Sequence, residues 1–344
     1  MTSDAVETKT RPEPTGATSA AGQPAVSVIT GTWNRPQWLG RALKSIAAQT
    51  FRDFEVIVVD DGSDDDTLAR YDQIWKELDE RFILNRLTTP RSDTSCSASV
   101  RNRGLRIMRG RFIAFCDDDD YWIVPDHLSL GLETLESCDA DLLISNMRGE
   151  SDEVVTIASW FPDSPRLTRG RLVHQSPPVH ELHLADLMAS MRHHYAHPNG
   201  TILRKDLLDR TGFFDEEIRS GEDVNFMLRL ADQAQRILFR SDPVVSFNVS
   251  PRSSSYTRRK NIDRWAYLAE GALRVRRDGR NAAVRRCARA IEAWQYRLMA
   301  GDLRDDGQTR QACARAWRAC RLFPTWGSAA LLARTCLAAM LRRR

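Results

Sequence analysis

Residues 111–122 read RFIAFCDDDDYW. An apolar run ends in four consecutive carboxylates, and two aromatics follow. Like charges this close repel, and burying them without compensation is costly, so the run calls for a cation or a ligand. Two segments upstream have the same layout. VSVIT at 26–30 passes into GTWN at 31–34, and FEVIVV at 54–59 passes into DDGSDDDT at 60–67. Each apolar run is short and continuous, as in a strand buried on both faces.

Helical patterns separate these strands. Pro36 sits just inside one helix, with Asn34 as its expected cap and Leu39, Leu43, Ile46 and Ala47 as its apolar face. Further helices are expected over 68–79, over 97–110 with Gly110 closing it, and over 128–136. Short strands are expected at 81–87 and 141–146. Alternating strands and helices predict a mainly parallel, twisted sheet covered on both faces. Ligands bind such sheets outside the carboxyl ends of the strands. GTWN, DDGS and DDDD should therefore lie side by side there.

The whole chain has 344 residues, 42% hydrophobic and 28% charged, which suits one large or two ordinary soluble domains. The net charge of +4 conceals an asymmetry. Residues 256–344 carry 21 Lys and Arg against 7 Asp and Glu, so the back is strongly basic and the front acidic. An acidic front suits a metal; a basic back suits anionic lipid, phosphates or a protein partner. The seven cysteines form no CxxC pair, which argues against a disulfide framework and a zinc cluster. Cys116, Cys138 and Cys336 read as buried thiols. With no apolar leader and no 18-residue apolar run, a cytoplasmic protein is expected. Residues 1–24 read as a disordered tail.

Residues 150–200 give little periodicity but hold six of the seven histidines. At 212–230, GFFDEEIRSGEDVNFMLRL predicts a turn at Gly212, a loop, and a helix from near Glu222. A polar loop is expected over 247–260. Beyond it, amphipathic helices are separated by Gly279, Gly301, Gly307 and Pro324. The last, SAALLARTCLAAMLRRR, is apolar with a basic end. It can pack on its neighbours or lie on a membrane surface.

Oxygen-rich sites hold Mg²⁺ or Mn²⁺ through one or two carboxylates, with water and substrate phosphates completing the shell. A metal so held neutralises a diphosphate leaving group. In DDGSDDDT, Asp61 at the strand end can accept a hydrogen bond from a base. Asp64, Asp65 and Asp66 cap or solvate the next helix, and Asp60 can pin the loop or touch the ligand.

Three stretches in the right order resemble the family-2 glycosyltransferases. These are VSVITGTWNRPQWLGRALKSIAAQTFRDFEVIVVDDGSDD, SVRNRGLRIMRGRFIAFCDDDDYW and GFFDEEIRSGEDVNFMLRL. The resemblance covers roughly residues 25–250 and implies a GT-A fold. It implies a nucleotide-binding half over about 25–146 and an acceptor half over about 147–255. Residues 256–344 would form an α-helical C-terminal extension. It also implies roles. Gly31, Trp33 (often Tyr in the family) and Asn34 would line the nucleotide, with Trp33 stacking on the base. Asp61 would hydrogen-bond the base, and Arg101 would lie near the diphosphate. Asp117 and Asp118 would lie near the ribose and sugar. Asp119, with Asp117, would hold Mn²⁺ or Mg²⁺. Asp223 would be the general base for the acceptor hydroxyl, and Glu222 would position that acceptor.

One departure stands out. Many members place a metal-binding His after the acceptor region; here Ser250 stands at the comparable place. His193, His194 and His197 read as surface or acceptor-pocket residues, because their spacing does not suit a helical metal site.

The sequence thus predicts a metal-assisted inverting glycosyltransferase. Its partners would be a nucleoside-diphosphate sugar and a glycan, lipid-linked or other hydroxyl acceptor, and no nucleic acid. The C-terminal helices would meet a membrane or a protein, peripheral to the inner face of the membrane. A nucleotidyltransferase would want a Gly-rich loop that GTWNRPQWLG lacks. A non-catalytic scaffold would not need acids at both Asp119 and Asp223.

Overall fold

The structure is a computed structural model that describes residues 6–8, 23–87, 96–162, 164–192, 194–250 and 261–341. Most of the expected N-terminal tail, His193 and most of the expected polar loop therefore lie outside the described residues. The chain divides into two compact units. One comprises Met1–His183, Ala196–Phe214 and Ala234–Ser253; the other comprises Leu184–Tyr195, Asp215–Gln233 and Ser254–Arg344.

In chain order the elements begin with β1 Val6–Thr8, β2 Val26–Thr32, α1 Pro36–Ala47, β3 Phe54–Asp60, α2 Asp65–Trp75 and β4 Phe82–Leu87. Then come α3 Ser97–Ile107, β5 Phe112–Phe115, β6 Tyr121–Trp122, α4 His127–Ser137, β7 Leu142–Ser151 and β8 Val154–Ile157. The middle holds α5 Ser164–Leu167, β9 Leu172–Gln175, β10 Pro178–Glu181, α6 Leu184–Ser190, β11 Thr201–Arg204 and α7 Lys205–Thr211. The chain continues with α8 Glu222–Gln233, β12 Ile237–Asn248, α9 Asn261–Asp278, α10 Ala282–Asp305, α11 Thr309–Leu322 and α12 Trp326–Leu341.

The first unit is built on a mixed sheet in the order β1-β4-β3-β2-β5-β11-β7-β12-β10-β9. β2, β3, β4 and β5 are parallel, with Val26 facing both Phe54 and Phe112. β11 runs antiparallel between β5 and β7. Their apolar runs are buried because helices cover them: Leu39, Ala42, Leu43 and Ile46 of α1 point into the core. Each buried Leu or Ile among them contributes roughly 1.5–3 kcal/mol.

Several expectations change. The N-cap of α1 is Arg35, not Asn34. Asn34, at φ 52°, ties the first loop to the second: its Oδ1 accepts from Asp64 N at 3.0 Å and its N–H donates to Ser63 Oγ at 2.9 Å. α3 ends at Ile107, because Met108 is extended. The unreadable middle contains short strands and helices, several with exposed faces that leave no apolar period to read. Cys138 and Cys336 are only partly buried.

The second unit is helical. α9 packs on α8 through named contacts. Asn225 Nδ2 donates to Gly271 O at 3.0 Å, and Arg274 pairs with Asp215 at 2.7 Å and Glu217 at 2.8 Å. Asp232, near the end of α8, accepts from the backbone of Arg280 and Asn281, each at 2.7 Å. Leu268, Ala272 and Val275 of α9 and Val284, Cys287 and Ile291 of α10 are buried. Gly279, Gly307 and Pro324 separate helices as expected, but Gly301 lies inside α10. No described helix is long and apolar enough to cross a membrane.

Candidate active site

The carboxyl ends of β2, β3 and β5 bring their three polar loops together. The backbone N–H of Asp61 donates to Thr32 O at 3.0 Å. Thr32 Oγ1 shares a hydrogen bond with Tyr71 at 3.0 Å and donates to Asp118 at 2.9 Å. Burial pushes the Tyr71 hydroxyl up to about 12, so it stays protonated as a hydrogen-bonding group. Asp60 accepts from the Ser63 backbone at 3.2 Å and also from its hydroxyl, which pins the second loop. Asp64 caps α2, accepting from Thr67 N at 2.8 Å. Asp61 is buried in this loop. Gly31 lies where a β-carbon would come within 2.8 Å of Val100 Cγ1 of α3, so the strand end and that helix approach closely. Trp33 is partly buried in the same loop.

The acid run alternates. Asp118 and Asp120 are buried, whereas Asp117 and Asp119 keep an exposed edge. The alternation follows from the turn that continues β5, in which Asp120 N–H donates to Asp117 O at 3.2 Å. The buried pair is satisfied by protein. Asp118 accepts from Thr32 and from Arg35 at 3.1 Å. Asp120 accepts from Asn248 N at 2.8 Å and from Asn199 Nδ2 at 2.5 Å. Arg101 does not stand clear of the acids: its Nη2 binds Asp117 at 2.7 and 2.8 Å while its guanidinium lies 5.5 Å from the Phe214 ring centre.

Two guanidiniums face four carboxylates. Burial is the largest influence on each acid and favours its neutral form. At Asp117 it is outweighed by Arg101 and His197, which hold that carboxyl below its usual range. Asp119 is pushed up to about 8 by burial and then by Asp118, against Arg35 at 3.1 Å. Burial, with Asp119 and Asp117, pushes Asp120 well up. The site thus holds more carboxyl groups than its two guanidiniums can balance as carboxylates, and two of them keep an exposed edge. That donor set fits a hard divalent cation.

His197 enters from a segment the sequence left among acceptor-pocket histidines. One ligand atom each of His197, Asp117 and Asp120 lies within 4.8 Å of the others. Its Nδ1 accepts from Asn199 N–H at 3.4 Å, and its ring packs 5.0 Å from that of Phe247. Ser250, where the family's His was sought, is buried, and its N–H donates to Asn248 Oδ1 at 3.0 Å.

Sequence reasoning missed Thr32, Arg35, Asn199 and Asn248. Arg35 was within reach, because it follows GTWN directly. Asn199 and Asn248 were not, since they reach the acids through β11 and β12, which lack the parallel-strand pattern.

Glu222 and Asp223 open α8 in the second unit, in its first turn. Asp223 Oδ1 accepts from Val224 N at 2.8 Å. Two further groups share its electrostatic environment. Arg264 of α9 is lowered mainly by burial and raised by Asp223; Tyr195 is raised by burial and then by Asp223.

Comparison with known proteins places this arrangement. Residues 27–197 match the sequence profile described as Glycosyl transferase family 2. Over 148 residues the chain is 32% identical to the UDP-Glc:alpha-D-GlcNAc-diphosphoundecaprenol beta-1,3-glucosyltransferase WfaP of Escherichia coli. That alignment covers 43% of this chain and 55% of WfaP, and the chain spans about half the length of the curated relatives it matches. The crystal structure of S. aureus TarS 1-349 in complex with UDP-GlcNAc matches with a TM-score of 0.61 and 22% identity, over 87% of this chain and 81% of that one. The mannosyltransferase PcManGT of Pyrobaculum calidifontis, in complex with GDP-Man and Mn²⁺, matches with a TM-score of 0.58 and 19% identity, over 96% and 84%. The fold is of the GT-A type.

Proposed function

Since the chain belongs to the family-2 glycosyltransferases, we propose that it moves a sugar from a nucleoside-diphosphate sugar to an acceptor hydroxyl, with inversion, in the assembly of a cell-surface glycan or glycolipid. The observation that carries this reading is the alternation of the acid run at the end of β5. It leaves one edge of Asp117 and of Asp119 exposed, beside their ion pairs with Arg101 and Arg35, while Asp118 and Asp120 are buried among protein donors.

In this reading Trp33, with Gly31 and Asn34, lines the nucleotide, and Asp61 accepts from the base. Arg101 positions Asp117 toward the ribose and sugar. Arg35 and Thr32 hold Asp118, which keeps the turn in place. Asp119, with Asp117, would hold Mn²⁺ or Mg²⁺, which when bound supplies positive charge to the diphosphate as it leaves. His197 stands beside Asp117 and Asp120, with its Nδ1 accepting from Asn199 N–H.

Asp223 removes the proton from the acceptor hydroxyl as that oxygen attacks the anomeric carbon. The bond from that carbon to the diphosphate oxygen breaks in the same displacement. Glu222 orients the acceptor. The relatives' names support donors carrying UDP or GDP and a lipid-linked acceptor for one of them.

The test begins with thermal midpoints against UDP-, GDP-, TDP- and CDP-sugars, each with Mn²⁺, Mg²⁺ or EDTA, followed by measured release of nucleoside diphosphate. One nucleotide should raise the midpoint in a cation-dependent way. Asp223→Asn should keep that shift and lower kcat by about 10²–10⁴. Unchanged transfer by the variant would remove Asp223 from the role of base.

A further inference from the structure

The last helix carries large apolar side chains on its outward side. Along α12, the positions turned inward are Ser328 and Thr335, exposed by only 1% and 0%, with Leu331, Leu332 and Cys336 partly buried beside them. The outward positions include Trp326, Ala329, Ala330, Ala333 and Leu337, with Arg334 exposed among them. Trp326 is 94% exposed and Leu337 58%. The inward polar residues are accounted for locally. Ser328 and Thr325 form a reciprocal cap at 2.9 and 3.1 Å, and Thr335 Oγ1 donates to Leu331 O at 2.6 Å. Large apolar side chains left on an outward helix face need a cover that the described residues of the helical unit do not supply.

Charge indicates the cover. From Thr309 to the last residue given, the sequence holds eight arginines and no Asp, Glu or Lys. Two exposed tryptophans of the same unit, Trp294 and Trp317, are paired with arginines. Arg297 lies 4.7 Å over the Trp294 ring and packs beside Gly327, where an added β-carbon would come within 2.7 Å of its Nη2, next to Trp326. Arg321 lies 5.0 Å over the exposed Trp317. Indole and guanidinium groups around an apolar stripe are what a helix needs to lie at the headgroup level of a bilayer. A second copy is the weaker occupant, because a self-complementary contact would set arginine-rich, acid-free faces against each other. A nucleic acid would leave the apolar stripe uncovered.

We propose that the outward face of α12, with the arginines of α11 and α12, is a docking surface for an anionic lipid bilayer, on which the helix lies in the plane of the interface. Two signals act together, apolar insertion and charge, and stable anchoring generally requires two.

The experiment floats the full chain on density gradients with vesicles of phosphatidylcholine alone or mixed with phosphatidylglycerol, at low and high salt. Binding is expected to the mixed vesicles at low salt and not to phosphatidylcholine alone. Trp326→Asp with Leu337→Asp should weaken it about tenfold or more, since both side chains lie in the inserted face. Both are exposed, so the fold should hold, and circular dichroism checks that. Arg310→Gln with Arg334→Gln should weaken binding and flatten its salt dependence. The proposal is overturned if the full chain fails to float with mixed vesicles, or if the aspartate pair floats as well as the parent. It is also overturned if light scattering finds a dimer that the aspartate pair converts to monomer, because a second copy then covers the face.

Discussion

Gly221 lies against Leu268: a β-carbon at Gly221 would come within 2.1 Å of Leu268 Cδ2, and Gly221 has φ 77°. The residue before the Glu222–Asp223 pair is thus fixed from two sides, by a left-handed backbone and by α9. The C-terminal helices are therefore part of what positions this motif.

Gly221→Ala should meet both obstacles. The positive φ alone costs about 1 kcal/mol, and displacing Leu268 adds to it. The expected result is a lower thermal midpoint and a fall in kcat larger than any change in donor affinity. Adding Leu268→Ala should recover the steric part and leave the backbone part, so the two substitutions will not be additive. Denaturation and steady-state kinetics on the four proteins check this.

Asp119 and Asp120 are neighbours with opposite expected responses. Asp119→Asn should abolish the cation-dependent part of donor stabilisation, worth about 2.7 kcal/mol at a hundredfold excess over Kd. Asp120→Asn should preserve it. Burial with Asp119 and Asp117 pushes Asp120 well above the usual carboxyl range, so a neutral amide resembles what it replaces. Asn199 Oδ1 has no hydrogen-bond partner among the described residues and can rotate to accept from the new amide. Midpoint shifts with Mn²⁺ and with EDTA separate the two variants; equal loss in both would remove the distinction.

The strands carrying the acids were legible because β2, β3 and β5 are buried on both faces, so each reads as a continuous apolar run. The acid run was legible because charge follows such a run without a break. Partners brought from a distance were not. Asn199 and Asn248 touch Asp120 only because β11 enters antiparallel beside β5 and β12 ends near the turn. Asn34 misled for a local reason. Its side chain meets the second loop, a contact no single-segment rule contains.

His127 gives a pH dependence. It is fully buried, its ring centre is 4.9 Å from that of Trp122, and neither ring nitrogen has a hydrogen-bond partner among the described residues. Burial, then Arg240, lowers it to about 3 from 6.5. The unfolded chain takes up this proton near pH 6.5 and the folded chain does not. The associated stability is thus fully present above pH 6.5 and is lost as pH falls toward 3, at about 1.4 kcal/mol per pH unit. Urea unfolding from pH 7 to pH 4 should show His127→Phe losing less stability than the parent, by about 3 kcal/mol at pH 4. Parallel curves for the two proteins would contradict the assignment.

Gly301 offers a change in the other direction. It was expected to break the C-terminal helices, yet α10 runs through it from Ala282 to Asp305. Glycine inside a helix costs backbone entropy that alanine does not. A β-carbon built at Gly301 meets nothing within 4 Å, so no neighbour has to move. Gly301→Ala should therefore stabilise the chain by about 0.4–1 kcal/mol, mostly by restricting the unfolded state. The readout is the urea midpoint at unchanged slope, because the surface exposed on unfolding stays nearly the same. A lower midpoint would mean that Gly301 serves a close approach, such as to a partner or an acceptor. Measured against Gly221→Ala, where the same added methyl meets Leu268, the pair compares one chemical change at two glycines of the same helical unit and should give opposite signs.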